Sequence, residues 1–168
     1  MKKLIFTSFI YLVLLLNIAN AQTEKGTWLL GGSASFVSVE DVSVLTINPN
    51  IGVFVTNNFA LGLNASFSKV EDNDPLISFG PVARFYLGNS DSGKFFGQLG
   101  GTLLTTSEFN DFILGYGLKA GYAVFISKSI ALEFAGGYDG FRELNDDAYK
   151  YSGYGVTIGF QIHFNKDE

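Results

Sequence analysis

Hydrophobic and polar residues alternate one by one along most of this chain. In the stretch YSGYGVTIGFQIHF, residues 151–164, one face carries Ser, Tyr, Val, Ile, Phe, Ile and Phe. The other face carries Tyr, Gly, Gly, Thr, Gly, Gln and His. Alternation with a period of two predicts a β-strand. The stretch is far longer than the usual globular strand of about 5 or 6 residues.

Eight segments of this kind are separated by short polar breaks. The predicted strands are 27–39, 43–56, 59–69, 76–87, 94–105, 112–126, 130–138 and 149–164. Each has about ten residues or more, the length that a tilted strand needs to cross a bilayer. Pro49 and Pro81 fall inside these segments, where the missing N–H predicts a bulge or a local widening. The predicted fold is all-β, an eight-stranded antiparallel up-and-down transmembrane β-barrel.

The residues opposite the apolar rows indicate which face meets which solvent. These residues are mostly Gly, Ala, Ser and Asn with isolated charges; Leu61 and Leu63, for example, alternate with Gly62 and Asn64. A soluble sandwich would carry many charged residues on its wet face. A soluble lipocalin-like barrel would turn its apolar rows inward. Small polar residues suit the narrow interior of an eight-stranded barrel, so we expect the apolar rows to face lipid.

The first residues have the features of a secretory signal. Lys2 and Lys3 precede an apolar run that ends near Leu16, and Ala19-Asn20-Ala21 is a small-x-small cleavage site. A membrane anchor is the alternative, but the run is shorter than the ~20 residues that a spanning helix needs. We therefore expect a signal peptide over 1–21 and a barrel over 22–168. The expected location is the cell outer membrane, as an integral protein with its termini in the periplasm.

Composition and charge exclude several classes of protein. The chain has no cysteine, which excludes a disulfide scaffold, a thiol nucleophile and an acylated lipoprotein N-terminus. Without the two lysines of the signal, nine basic residues face sixteen acidic ones, a net charge of −7. Binding to nucleic acid phosphates needs a basic stripe, so nucleic acid is not an expected partner.

Acidic residues concentrate in the predicted outer loops. The breaks 39–42, 70–75, 106–111 and 139–148 contain eleven of the sixteen acids, namely Glu40, Asp41, Glu71, Asp72, Asp74, Glu108, Asp111, Asp139, Glu143, Asp146 and Asp147. An acidic rim could recruit divalent cations that bridge to lipopolysaccharide. A dedicated calcium site is less favoured, because Asp and Asn are ordinary loop residues and no EF-hand spacing is present. The expected partners are outer-membrane lipid and lipopolysaccharide, with the protein a monomer.

Four runs carry a resemblance to a known family. They are INPNIGVFVTNNFALGL (47–63), ISFGPVARFYL (77–87), KFFGQLG (94–100) and FISKSIALEF (125–134). With them the chain resembles the small outer-membrane β-barrel proteins common in Bacteroidetes, often described as porin-like or OmpA/OmpX-like. The resemblance implies a Gram-negative envelope, no assigned reaction, and no cofactor or catalytic residue. One departure is the C-terminus, where four residues follow Phe164, although such barrels tend to end on an aromatic residue.

Strand parity directs a set of polar side chains into the predicted lumen. The charged members are Arg84, Lys119 and Glu133. The uncharged members are Asn48, Asn50, Asn64, Gln98, Gln161 and His163. Buried charges are tolerated when they are paired and hydrogen-bonded, so we predict a polar network that plugs the barrel. A selectivity constriction for small ions is the alternative.

The candidate chemistry for catalysis is sparse. His163 is the only histidine, and its neighbours on the same strand face are Gln161 and Asn165. A serine nucleophile needs a base within hydrogen-bond reach, and no serine flanks this histidine on its face. The prediction is therefore a non-enzymatic protein with no metal or cofactor, in an envelope-structural or surface-binding role. The alternative is a passive channel for ions or small, including apolar, solutes.

Overall fold

The computed structural model describes residues 23–39, 42–70, 74–88, 90–106, 112–143 and 150–164. The predicted signal peptide, most of the acidic loop residues and the tail after Phe164 lie outside these ranges. Within them, no helix is long and apolar enough to cross a membrane.

Eight antiparallel strands form a closed barrel in which each strand pairs with its neighbours in sequence and β8 pairs with β1. The strands are β1 Trp28–Val39, β2 Val42–Thr56, β3 Phe59–Val70, β4 Leu76–Leu87, β5 Gly93–Thr106, β6 Phe112–Phe125, β7 Ile130–Glu143 and β8 Lys150–Phe164. The predicted fold class is confirmed. The predicted strand ends agree with these bounds to within one residue, except at the end of β7.

The prediction that an outer loop begins at Asp139 is wrong, because β7 continues to Glu143. Asp139 pairs with Gly117 of β6 and Gly153 of β8. A Cβ added to Gly117 would collide with Oδ1 of Asp139. Gly117 therefore leaves room for the carboxylate of Asp139, which points inward. The sequence Asp139-Gly140 is typical of a turn, but here it remains part of β7.

The two faces of the wall differ as the alternation predicts. Most of the large outward hydrophobic side chains are exposed over 37% to 92% of their surface; Leu63 (60%), Phe95 (63%) and Leu118 (59%) are examples. Inward side chains such as Phe54 and Tyr86 are 1% exposed. The apolar rows therefore form the exterior of the barrel, and the lumen is filled by side chains.

Both prolines interrupt pairing locally but neither produces a bulge. Between β2 and β3 the pairs stop at Ile47 and resume at Asn50, either side of Pro49, in an unchanged register. Between β4 and β5 they stop at Phe79 and resume at Val82, again in register. The register shift lies instead between Phe54 and Thr56 of β2. A missing N–H thus removes ladder hydrogen bonds without inserting a residue.

The barrel has two distinct ends. One, here called the terminal end, is formed by residues 23–27, the turns that follow β2, β4 and β6, and the last residue of β8. The opposite end is called the loop end. At the terminal end the Asn58 N–H donates to the Thr23 carbonyl at 2.7 Å, and Lys94 Nζ donates to Thr23 Oγ1 at 2.8 Å and to Asn58 Oδ1 at 3.1 Å. These contacts hold the chain segment before β1 across the mouth of the lumen.

Two glycines of neighbouring strands provide a matched test of how tightly the lumen is packed. We expect Gly121→Ala to destabilise the barrel by about 1–3 kcal/mol through overpacking. The added methyl group would collide with the Phe134 carbonyl and lie 2.8 Å from Cζ of Phe96. Gly136→Ala meets nothing within 4 Å and should be neutral or slightly stabilising. Urea unfolding of both variants measures the difference, and equal losses would contradict the packing described here.

Candidate functional site: the barrel lumen

A layer of aromatic rings fills the lumen near the terminal end. The Tyr86 ring centroid lies 5.7 Å from that of Phe54 and 5.9 Å from that of Phe96, while the His163 ring lies 5.1 Å from Phe125 and 6.0 Å from Phe54. All five side chains are 0–4% exposed. Tilted and edge-on ring contacts at these separations are the favourable geometries for aromatic pairs. The layer closes this end of the barrel with apolar surface.

An ion pair crosses the lumen next to the aromatic layer. Arg84 Nη1 of β4 donates to both carboxylate oxygens of Glu133 of β7, at 2.7 and 3.0 Å. The Tyr86 hydroxyl donates to the same carboxylate at 3.1 Å. Arg84 Nε and Nη2 donate to Oε1 of Gln98 at 2.9 and 2.5 Å. The two charges are buried and offset each other, which is the condition under which a low-dielectric interior tolerates them.

Aromatic contact also fixes the guanidinium. Cζ of Arg84 lies 4.7 Å from the ring centroid of Phe96 and 5.9 Å from that of Tyr86. Cations over aromatic faces within about 6 Å are attracted by the ring quadrupole. Arg84 therefore links strands β4, β5 and β7 into one cross-lumen brace.

A cavity of about 100 Å³ adjoins the ion pair. Arg84 and Glu133 border it, and about half of its wall is polar, contributed also by Ser33, Asn48, Asn50, Asn64, Gln98, Lys119, Thr157 and Gln161. The rest of the wall is apolar, with Leu29, Ile51 and Phe96 among its residues. Asn64 Oδ1 and Gln161 Oε1 are buried without a hydrogen-bond partner among the described residues. Buried polar atoms are normally satisfied by protein, water or ligand, so the cavity is suited to several water molecules or a small polar group.

The predicted lumen residues fall into three places. Arg84, Glu133 and Gln98 are joined by direct hydrogen bonds. Asn64, Lys119 and Gln161 line the same cavity without bonding to those three. The imidazole of His163 is fully buried in the aromatic layer.

Sequence reasoning missed two participants in the lumen. Tyr86 bonds to both members of the ion pair, and Lys94 ties the segment before β1 to the barrel mouth. Both lie at positions whose side chains point inward in their strands, and this alternation was the signal that could have identified them.

The described residues offer little for metal or acid–base chemistry. In the ranges covered by the structure, no three His, Asp or Glu side chains lie close enough to hold a metal ion. His163 is packed against the rings of Phe54, Tyr86 and Phe125 at 5.1–6.0 Å. This environment suits a packing role for the imidazole.

Comparison with known proteins identifies the fold alone. No protein-family model and no curated protein matches the chain. Among solved structures, it is similar to the N-terminal β-barrel domain of Pseudomonas aeruginosa OprF, with 12% identity, a TM-score of 0.63, and 83% of this chain and 98% of that chain covered. This chain and the OprF domain therefore share the fold of an eight-stranded barrel.

Two further structures support the same conclusion. Neisserial surface protein A (NspA) matches with 15% identity and a TM-score of 0.62, covering 83% of this chain and 97% of that one. The outer membrane protein OprG from Pseudomonas aeruginosa matches with 12% identity and a TM-score of 0.54, covering 88% of this chain and all of that one.

Proposed function

We propose that this chain is a non-enzymatic integral outer-membrane β-barrel protein, closed at its terminal end, with an envelope-structural or surface-binding role. The observation that carries this proposal is the closure itself. The Arg84–Glu133 pair and the adjoining aromatic layer occupy the lumen with side chains that are at most 9% exposed. The apolar exterior supports a lipid surrounding, and a sheet that closes on itself through β1–β8 pairing is the strand architecture that lipid accepts.

The lengths of the connections between strands support an orientation with periplasmic termini. Two to five residues separate the paired strands at the terminal end, and short turns are typical of the periplasmic side of such barrels. The proposal thus includes periplasmic termini, a signal peptide over 1–21, and outer loops whose acids meet divalent cations and lipopolysaccharide. The proposed relationship to the small barrels common in Bacteroidetes is based only on the four sequence runs 47–63, 77–87, 94–100 and 125–134.

A passive channel is the second candidate, and the cavity is the observation that favours it. The cavity beside Lys119 and Asn64 leaves part of the lumen unfilled, and about half of its wall is polar. Conduction would require the Arg84–Glu133 brace and the aromatic layer to move aside. Otherwise the ion pair and the aromatic layer would block small solutes at the terminal end.

Single-channel recording separates the two candidates. We expect the purified protein, shown to be folded and inserted in a planar lipid bilayer, to give no discrete conductance steps. An Arg84→Ala/Tyr86→Ala/Glu133→Ala triple variant removes the brace and opens the aromatic layer and should give measurable steps, while Glu24→Ala, an exposed acid outside the lumen, should stay silent. Reproducible steps from the unmodified protein would reject closure and favour the channel.

A further inference from the structure

The barrel wall has one incomplete seam, between its first and last strands. Pairing of β1 with β8 covers six residue pairs, from Trp28 with Phe164 to Ser33 with Gly159. The other seven strand pairs each have ten to thirteen. Beyond Ser33, the rest of β1 pairs with β2 alone, and β8 before Gly159 pairs with β7 alone. The opening between residues 34–39 and 150–158 is here called the β1–β8 gap.

Side-chain exposure shows that the gap is open. Tyr154 and Val156 of β8 are 89% and 92% exposed, whereas Ile158, nearer the paired part of the same strand, is 64% exposed. Gly155, which lies on the inward face, is also exposed. A neighbouring strand would cover part of each of these residues.

The lumen cavity borders the end of the gap. The residues that line the cavity include Gly32 and Ser33 of β1 and Thr157 and Gly159 of β8, the positions at which the pairing ends. Unpaired backbone N–H and C=O groups in hydrocarbon cost several kcal/mol each. Hydrocarbon cannot satisfy them, so an occupant of this seam needs a polar part.

A lysine supplies the charge that such an occupant would meet. Lys119 lines the cavity and is the eighth of the 14 residues of β6, near the middle of the barrel wall. Its stem lies over Gly137 of β7, since a Cβ added there would come within 2.7 Å of Cγ of Lys119. Gly137 in turn pairs with Gly155 of β8, so this row of residues leads from Lys119 to the gap.

Lys119 forms no ion pair within the described residues. The ion pair formed there joins Arg84 to Glu133, and Asp139, one inward position nearer the loop end of β7, lies beyond ion-pair distance of Lys119. The charged groups that border the cavity therefore sum to one positive charge, carried by Lys119.

We propose that the β1–β8 gap and the lumen cavity form a lateral binding site for a single-chain anionic amphiphile with a carboxylate head. The head meets Lys119, the surrounding amides and the backbone N–H groups where the gap meets the cavity, and the apolar tail continues through the outer part of the gap toward the bilayer. The site rests on the membrane position proposed above, and it assigns the surface-binding role a ligand class.

Charge favours a carboxylate head. The charged groups that border the cavity sum to one positive charge, which the single negative charge of a carboxylate offsets. A cationic head would instead add a second positive charge to the lumen.

Amide NMR of the purified protein in phosphatidylcholine nanodiscs tests the site, with dodecanoate as the probe. We expect saturable shifts at Gly137 and Gly155, at least tenfold weaker binding in Lys119→Gln, and unchanged binding in Lys128→Gln. Lys128 is exposed in the turn between β6 and β7 and gives the same change of charge. Dodecyltrimethylammonium should produce no saturable shift at these glycines. Unaltered binding by Lys119→Gln, or equal shifts from both amphiphiles, would overturn the proposal.

Cross-linking tests the gap independently, because the chain contains no cysteine. Leu30→Cys/Ile162→Cys lies on a paired position of β1 and β8, and Phe36→Cys/Val156→Cys continues that register into the gap. A disulfide needs Cα atoms within about 7 Å. Under the same oxidant, the first pair should cross-link and the second should not. Equal cross-linking in nanodiscs would mean that β1 and β8 stay paired beyond Ser33, and the lateral site would not exist.

The lateral site and the closed barrel fail separately. A folded, inserted protein that is silent in the bilayer and does not bind dodecanoate would reject the lateral site alone. A protein that conducts, yet binds dodecanoate through Lys119, would reject closure and support the site.

Discussion

Glu133→Leu is expected to lower the free energy of unfolding by about 3–5 kcal/mol, because it leaves the Arg84 guanidinium buried without its counter-charge. Arg84 is 9% exposed and would retain hydrogen bonds to Gln98 and Tyr86, neither of which carries a formal negative charge. This loss of stability comes from burying an uncompensated charge. It is therefore larger than the net contribution of the intact ion pair to the free energy of unfolding. Urea unfolding in lipid vesicles, followed by the fluorescence of the single tryptophan, Trp28, measures the loss.

Two further variants show whether the charge is the cause. Arg84→Met/Glu133→Leu removes both partners, and replacing a buried pair by apolar groups is often neutral or stabilising, so most of the loss should be recovered. Glu24→Leu changes an exposed acid at the terminal end and should stay within about 0.5 kcal/mol. If the double variant is as unstable as Glu133→Leu alone, lost packing rather than an unpaired charge is responsible.

Leu118→Arg is expected to cost about 2–4 kcal/mol when the barrel is folded in lipid, the penalty for a cation on the lipid face near the bilayer midplane. Leu118 is 59% exposed on the outer face and lies in the middle of β6. It pairs with Leu99 of β5, which is 59% exposed on the same face. The arginine would therefore enter a continuous apolar band.

A position at the barrel rim gives the matched control. Ile130 is the first residue of β7 and 38% exposed, and Ile130→Arg should cost about 0–1 kcal/mol because a cation at that depth reaches the interface. Vesicle unfolding of both variants compares the two depths directly. Equal costs would show that the outer face does not experience a hydrocarbon gradient, and the proposed membrane location would be rejected.

The two halves of the lumen differ. Toward the terminal end, aromatic rings and the ion pair fill the lumen, and Lys94 ties the segment before β1 over the mouth. Farther from that end, the cavity adjoins a wall with an unpaired seam. Under the proposed function, such a barrel holds a molecule that arrives from the loop end or from the bilayer and does not pass it through the terminal end.

The sequence by itself determined the strands and their faces. Side-chain direction in a strand alternates with a period of two, so local alternation alone predicted that Leu118 points outward and that Arg84 and Glu133 point inward. Strand ends were predictable where polar breaks coincide with turns. The end of β7 was not, because whether Asp139 stays in the ladder depends on Gly117 and Gly153 in its two partner strands.

The tertiary structure decided which inward side chains meet and where the wall is incomplete. Arg84 and Glu133 are 49 residues apart and lie on strands that are not neighbours, so their contact depends on the diameter and stagger of the closed barrel. The β1–β8 gap likewise depends on how seven successive registers add up before the last strand meets the first. Alternation along one strand contains no information about that sum, whereas closure in three dimensions determines it.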